Sequence, residues 1–282
     1  MASDRELKLR IKSVQSIGQL TKAMKMVASA QLRKIEGMTA AGRPYAEKLK
    51  EAITEMTSRL GEDIHPLMAV REVTKTGVII IGSDSGLCGA YNSNVFKVAG
   101  KALDDMEDDP ARLILMGSKA VRFFTRRGYQ PDKTVLDWKP EYELAKELAD
   151  MCADWFLSGE VDEVICYYTQ PVNKLVSKPK SLRILPMAES DGKVSGVPYI
   201  FEPSAKEALE RIMPSYLRVL FRQILLDSKS AELGSRLNAM SNATDNADKL
   251  AAELTLQYYR IRQNNITTEI IEISSGAEAL NG

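Results

Sequence analysis

Apolar positions near the start of the chain recur at steps of three and four, as they do on one face of an α-helix. Good helix formers dominate residues 3–59, and Pro44 is the one proline among them. The pattern therefore predicts a single long helix whose apolar stripe needs a partner. The stripe consists of Leu7, Ile11, Val14, Ile17, Leu20, Met24 and Val27.

The C-terminal end carries a stricter pattern, in which four-residue and three-residue steps alternate as in the seam of a left-handed coiled coil. Pro214 should kink this second helix or mark its start. The alternative, one amphipathic helix on a globular core, would show a wider apolar stripe. The register turns polar after Ile261, so a C-terminal tip should project beyond the paired region. The predicted seam is Leu233, Leu237, Met240, Thr244, Ala247, Ala251, Leu254, Tyr258 and Ile261.

Between the two ends the apolar period changes to that of buried strands. Continuous runs such as TGVIII at 76–81 are typical of strands covered on both faces. Further strands are predicted at 112–116, 164–169 and 181–185, with helices at about 92–106, 118–127 and 141–158 between them. The fold class is therefore α/β: a long antiparallel coiled coil of the two terminal helices with an inserted Rossmann-like open α/β domain. The predicted domains are residues 1–60, 75–200 and 205–282.

The loop after the first strand, GSDSGLCGAYNSN at 82–94, is the best candidate for chemistry. Glycines between a strand and a helix can cradle phosphate through backbone N–H groups. The spacing is G-x-x-x-G-x-x-G, however, and no Walker sequence follows, so the nucleotide signal is weak. Tight turns that bring a helix close to the sheet are the favoured interpretation. Cys88 within the loop is expected to be a small buried side chain.

Other candidates for catalysis or metal binding are few. His65 is the one histidine and lacks a zinc or triad context, which argues against histidine-based acid–base chemistry. The three cysteines are scattered, as expected in a reducing compartment. The acidic run at 104–109 lacks the spacing of a calcium loop and is expected to be a solvated turn. No catalytic residue, metal site or cofactor is predicted.

Charge is balanced over the whole chain but uneven along it. The sequence has 38 basic and 38 acidic residues, whereas 7–35 carries seven basic residues and no acidic one. This basic stretch is either a solvated helix face or the contact for an acidic partner. No apolar run is long enough to span a membrane, and the charged N-terminus is unlike a secretory signal. The chain is expected to stay in the compartment where it is made.

Four stretches together resemble the gamma subunit of bacterial F-type ATP synthase, in the right order and over essentially the whole chain. They are IKSVQSIGQLTKAMKMVASAQLRK at 11–34, GSDSGLCGAYNSN at 82–94, SRLNAMSNATDNADKL at 235–250 and ITTEIIEISSGAEA at 266–279. The resemblance implies a central rotor shaft that turns inside a ring of alpha and beta subunits. Epsilon and the membrane c-ring would sit at its foot, on the cytoplasmic face of the cell membrane.

The resemblance also implies where the shaft touches the ring. Lys22, Met24 and Lys25 would face the acidic lever loop of a beta subunit. A second group would bond to another beta-subunit loop, and it consists of Arg262, Gln263, Thr267 and Glu269. Two other classes stay open on the residues alone: a nucleotide-binding α/β enzyme with helical appendages, and a basic coiled-coil protein that binds nucleic acid with steep salt dependence. No direct membrane span and no nucleic-acid partner are expected.

Overall fold

A computed structural model describes residues 4–60, 65–106, 110–173, 176–187, 202 and 204–281. A long helix stands at each end of the described chain, and strands alternate with shorter helices between them. The α-helices are α1 (Asp4–Leu60), α2 (Tyr91–Asp104), α3 (Ser118–Thr125), α4 (Tyr142–Leu157) and α5 (Ala205–Asn281), and a short 3-10 helix spans Pro66–Met68. The strands are β1 (Thr76–Ile81), β2 (Arg112–Met116), β3 (Lys133–Val135), β4 (Glu163–Pro171) and β5 (Ser177–Leu185).

The five strands form one sheet in the order β3-β2-β1-β4-β5. The pairs β1–β2, β1–β4 and β2–β3 are parallel, and β4–β5 is an antiparallel hairpin. The chain leaves β1 toward β2 on one side and later adds β4 on the other side. This reversal is a topological switch point, the place where open α/β sheets usually bind ligands at the carboxyl ends of their strands.

Both faces of the central strands β1 and β2 are buried, and successive side chains of each strand point to opposite faces. Val78 and Ile80 pack with α2 and α3 on one face. Ile79 and Ile81 pack on the other face with α4, with the end of α1 and with the first turns of α5. The predicted α/β fold class with long terminal helices is confirmed, and the predicted strands are all present.

Two details differ from the sequence prediction. β3 was not predicted, because it has three residues and none of them is buried. Pro214 neither starts nor ends a helix but lies inside α5, which begins at Ala205. A proline inside a helix removes one backbone hydrogen bond, and the long helix continues through it.

Contacts divide the chain into two compact units. The helical unit consists of the described residues of Met1–Val27 and Leu237–Gly282, and the α/β unit is Ala28–Arg236. The α/β unit thus contains the sheet together with part of α1 and part of α5. The predicted domain boundaries at residues 60, 75, 200 and 205 stay a prediction.

Candidate functional site

The glycine loop after β1 is held in place by its own polar groups. The Gly82 N–H donates to the Met116 carbonyl at 2.9 Å, and the Trp138 Nε1–H donates to the Gly82 carbonyl at 3.0 Å. The Asn92 amide accepts from the Ser83 N–H at 3.0 Å and donates to Ser83 Oγ at 2.8 Å. Backbone N–H groups that could hold a phosphate are therefore partly engaged inside the loop.

Gly117 follows β2, and it lets the loop after β1 approach the chain closely at this edge of the sheet. Its φ is +83°, and a Cβ built on it would lie 2.4 Å from the Gly82 carbonyl oxygen. Glycine is needed there for both reasons, because other residues rarely adopt this backbone region and have no space here.

Arg236 on α5 fills the position in front of the loop. Its Nη2 donates to Ser85 Oγ at 2.7 Å, and to the Ser85 and Gly86 carbonyls at 3.3 Å each. Its Nη1 lies 2.7 Å from Glu232 Oε1, and the Arg236 side chain is only 11% exposed. Glu232 is almost fully buried, and its second oxygen accepts from Lys229 Nζ at 2.9 Å. One buried carboxylate thus joins two cations.

Further contacts join the same stretch of α5 to the loop. We call the region where they meet the crevice and define it by the loop 82–91 and by Ser228, Lys229, Glu232 and Arg236 of α5. The Tyr91 hydroxyl lies 3.0 Å from Ser228 Oγ in a buried position. Burial raises the pKa of the Tyr91 phenol, and the nearby Glu232 charge raises it further. Lys229 Nζ also lies 5.0 Å from the centre of the Trp138 ring.

The crevice is therefore arranged around a cation. The loop directs carbonyl and hydroxyl oxygens at a guanidinium group, whereas a phosphate would need N–H donors in the same place. The observed geometry favours the tight-turn interpretation of the loop over a phosphate-binding one. Leu87, beside these oxygens, has a φ of +61° and is 61% exposed, a conformation that a bulky residue adopts only where its surroundings hold it.

The other residues considered for chemistry, Cys88 and His65, make contacts that hold the local structure. Cys88 is buried, as predicted, beside Ser83 and Asn92. His65 precedes the 3-10 helix, and its Nδ1 accepts from the Leu67 N–H at 3.1 Å. Across the described residues, no group of three or more His, Cys, Asp or Glu side chains is placed to hold a metal ion. The acidic run at 104–109 lies partly outside the described residues.

The helical unit contains most of the residues that the sequence predicts for the coiled-coil seam. Eight of these residues lie in the helical unit and Leu233 lies in the α/β unit, and all nine are buried or half-buried. Most of the side chains between them from Thr244 to Ile261 are exposed. The eight residues are Leu237, Met240, Thr244, Ala247, Ala251, Leu254, Tyr258 and Ile261.

Small and polar side chains make the contacts across this antiparallel pair. A Cβ on Gly18 would lie 3.4 Å from the Ala247 Cβ, so the backbones approach closely. The hydroxyls of Thr21 and Thr244 lie 2.8 Å apart. Lys25 Nζ donates to Ser241 Oγ at 2.9 Å. Moving forward along α1 corresponds to moving back along α5, as an antiparallel pair requires.

This contact surface corrects the predicted stripe on α1. Ile17, Leu20 and Val27 are 51%, 60% and 57% exposed, whereas Gly18 and Thr21 are buried. The seam selects small residues because the two backbones are close, so the larger apolar side chains one position away face outward. Leu7, Ile11 and Val14 are buried or half-buried.

The residues predicted to touch a surrounding ring are distributed over two places. Lys22 is exposed, whereas Met24 and Lys25 are half-buried. From Arg262 to Ala277 every side chain of α5 is exposed, which includes Gln263, Thr267 and Glu269. Four large apolar residues of this stretch are exposed as well: Ile266, Ile270, Ile271 and Ile273.

Together these features define a class of α/β protein whose terminal helices pair in antiparallel fashion and whose switch-point crevice is filled by one of those helices. In the described part of the chain, no helix is long and apolar enough to cross a membrane. A sequence model of the family described as ATP synthase matches residues 3–280.

Individual relatives match over the full length. The ATP synthase gamma chain of Chlorobium chlorochromatii is 40% identical over 295 residues, covering 100% of this chain and 100% of the relative. That of Desulfitobacterium hafniense is 41% identical over 285 residues, covering 99% of this chain and 100% of the relative. The chain therefore belongs to the ATP synthase gamma-chain family.

Solved structures show the same fold. A chain from the mitochondrial ATP synthase of Euglena gracilis, in rotational state 3, superposes with a TM-score of 0.70 at 18% identity and covers 98% of this chain and 94% of its own length. A chain from the central stalk and c-ring of the Tetrahymena thermophila mitochondrial enzyme gives a TM-score of 0.59 at 24% identity, covering 79% and 99%.

Proposed function

We propose that this chain is the central rotor shaft of an F-type ATP synthase. It couples transmembrane ion flow to ATP synthesis or hydrolysis at catalytic beta subunits by rotating inside their ring. The observation that carries the proposal is the end of α5, where every side chain from Arg262 to Ala277 is exposed although four of them are isoleucines. Exposed apolar side chains in one stretch are typical of a surface that a partner covers.

Membership of the family supports the following partners for the chain. The helical unit enters a hexameric ring of alpha and beta subunits, and the α/β unit contacts epsilon and the membrane c-ring. The shaft has no catalytic site of its own and lies as a peripheral protein on the cytoplasmic face of the cell membrane. The cation-filled crevice supports this assignment, because it leaves the fold's usual ligand position to the chain's own Arg236.

Two groups of residues make the contacts with the ring. Lys22, Met24 and Lys25 face the acidic lever loop of a beta subunit. Lys22 is exposed, whereas Lys25 donates to Ser241 across the seam, so Lys22 is the main cation for that loop. A beta-subunit loop accepts the second group on the exposed end of α5, which is Arg262, Gln263, Thr267 and Glu269.

A rotating shaft changes nucleotide affinity only if it interacts differently with each state of the three beta subunits. In the paired part of the helical unit, residues 7–27 of α1 carry five basic residues and no acidic one, whereas residues 241–258 of α5 carry three acidic residues and one basic residue, so the two sides differ in charge. Each beta subunit meets one side at a time. The shaft thus transmits conformational change without taking part in the chemistry.

Co-expression with the alpha and beta subunits tests this function. The expected result is one complex that contains all three chains and hydrolyses ATP, whereas alpha and beta alone give much less stable activity. A tagged chain that recovers neither subunit from such cells would refute the proposal.

A deletion of residues 273–282 tests how the end of α5 works. If this end turns in the ring as a low-friction bearing, the truncated complex should assemble and keep part of its ATP hydrolysis. Complete loss of hydrolysis with intact assembly would show instead that the end makes essential contacts.

A further inference from the structure

Arg236 binds the glycine loop through directional hydrogen bonds, and it lies at the end of the α/β unit. Apolar packing alone would require neither feature. Apolar burial holds α5 against the sheet, but it is non-directional and does not by itself specify single polar contacts. The guanidinium group instead makes a planar fork of hydrogen bonds to fixed oxygens. It donates to Ser85 and Gly86 on one side and pairs with Glu232 on the other.

The position is where α5 leaves the α/β unit, since Arg236 is the last residue of that unit. The bonds to the loop therefore act at the boundary of that unit. The Arg236–Glu232 ion pair is largely buried, because the Arg236 side chain is 11% exposed and that of Glu232 is 2% exposed, whereas Ser85 is exposed. Ion pairs of this kind are screened by salt much less than exposed ones.

Neighbouring groups hold both the residues of α5 and the loop that Arg236 joins. Lys229 holds the second oxygen of Glu232, and the Tyr91 hydroxyl holds Ser228 on the same helix. On the loop side, the left-handed backbone of Leu87 directly follows the Gly86 carbonyl that Arg236 binds. The loop is therefore held in a strained form beside its contact with the helix.

We infer that Arg236 is a positioning residue of the rotor, a latch that locks α5 to the glycine loop so that torque passes between the helix and the α/β unit. This role rests on the proposed function as a shaft. Without the latch, part of the rotation of α5 is lost as twisting at the exit instead of turning the ion-carrying ring.

The test is made on the whole reconstituted complex in sealed vesicles, where ATP hydrolysis and ATP-driven ion uptake are measured together. Arg236→Ala should lower the ratio of ion uptake to hydrolysis by about twofold or more against an imposed ion gradient, because it removes the hydrogen bonds that join α5 to Ser85 and Gly86 of the loop. Hydrolysis in the presence of an uncoupler should change little. Arg211→Ala is the matched control, since Arg211 is an exposed arginine of the same helix.

Arg236→Lys separates the latch from a general effect on stability. Lysine keeps the charge next to Glu232 but has one nitrogen in place of the two that reach Glu232 and the loop separately. The variant should therefore assemble like the wild type and still show a reduced ratio of ion uptake to hydrolysis. It decides the question if the alanine variant fails to assemble.

An unchanged ratio in the lysine variant, with normal assembly and normal hydrolysis, would overturn the inference. Such a result would leave the shaft function intact, because the wild-type and Arg211→Ala complexes would still pump ions. Failure of the wild-type chain to assemble would refute the shaft function itself, so the two failures are distinguishable.

Discussion

The substitution Gly117→Ala tests how the glycine loop is held at the end of the sheet. The added Cβ would lie 2.4 Å from the Gly82 carbonyl oxygen, 2.8 Å from the Gly82 carbonyl carbon and 2.9 Å from that of Ser83. These are backbone atoms, so no side chain can rotate away. The loop that binds Arg236 would have to move.

The expected loss of stability has two parts. At a φ of +83° and a ψ of +139°, Gly117 lies in backbone space that L-residues rarely adopt, which costs about 1–3 kcal/mol. Overpacking against fixed neighbours adds about 1–3 kcal/mol. Gly117→Ala should therefore lower the free energy of unfolding of the α/β unit by about 2–6 kcal/mol. Gly128→Ala is the matched control, because Gly128 has a φ of +98° with nothing within 4 Å of its Cβ position.

Urea unfolding followed by tryptophan fluorescence measures this difference. The chain has two tryptophans, Trp138 and Trp155, and both lie in the α/β unit, so the signal reports that unit alone. The midpoint of Gly117→Ala should fall well below that of Gly128→Ala, while the slope of the transition stays the same. Equal midpoints for the two variants would refute the steric argument and leave only the backbone cost.

Two further predictions concern the helical unit and the segment between α1 and β1. Thr21→Val and Thr244→Val should each cost about 1 kcal/mol, and a double-mutant cycle followed by circular dichroism should show coupling of about 0.5–1 kcal/mol, because their hydroxyls lie 2.8 Å apart; additive effects would contradict this contact. Burial lowers the pKa of His65, partly opposed by the charge of Glu210, and the neutral ring accepts from the Leu67 N–H. The stability that the neutral ring contributes is present above about pH 6.5 and is lost as the pH falls from there through the lowered folded-state pKa. His65→Asn keeps an acceptor and should flatten that part of the pH profile in urea titrations; an unchanged profile would assign the dependence to another group.

The sheet could be predicted because its strands carry continuous apolar runs. β1 is buried on both faces, and a sequence such as TGVIII has few other stable placements. β3 has no comparable run and is fixed by pairing with β2, a long-range contact that its own residues do not encode. Local patterns therefore identified the centre of the sheet and missed one edge.

The contact surface of α1 could not be read from hydrophobicity. Gly18 and Thr21 face α5, whereas the more apolar Ile17 and Leu20 face outward. When two helix backbones are close, small side chains occupy the seam even where larger apolar ones stand next to them. Thr244 and Ala247 of α5 are small, but the sequence of α1 does not show that Gly18 and Thr21 face them.

Arg236 and Glu232 were missed for a different reason. An arginine and a glutamate four positions apart on a helix are typical of an exposed surface pair. Nothing in their spacing shows that the glycine loop covers them, and the loop itself indicated an anion rather than a cation. Burial by a segment about 150 positions earlier in the chain turned an ordinary pair into the centre of the site.

The filled crevice also changes what added ligands can do. Arg236 is part of the same chain as the loop it binds, so its effective concentration there is far above the millimolar range of short flexible linkers. A soluble guanidinium compound or nucleotide at ordinary cellular concentration competes against that local excess and against the ordered neighbours Lys229 and Tyr91. The position that other α/β proteins keep open for exchange with the solvent is occupied here by a permanent internal ligand.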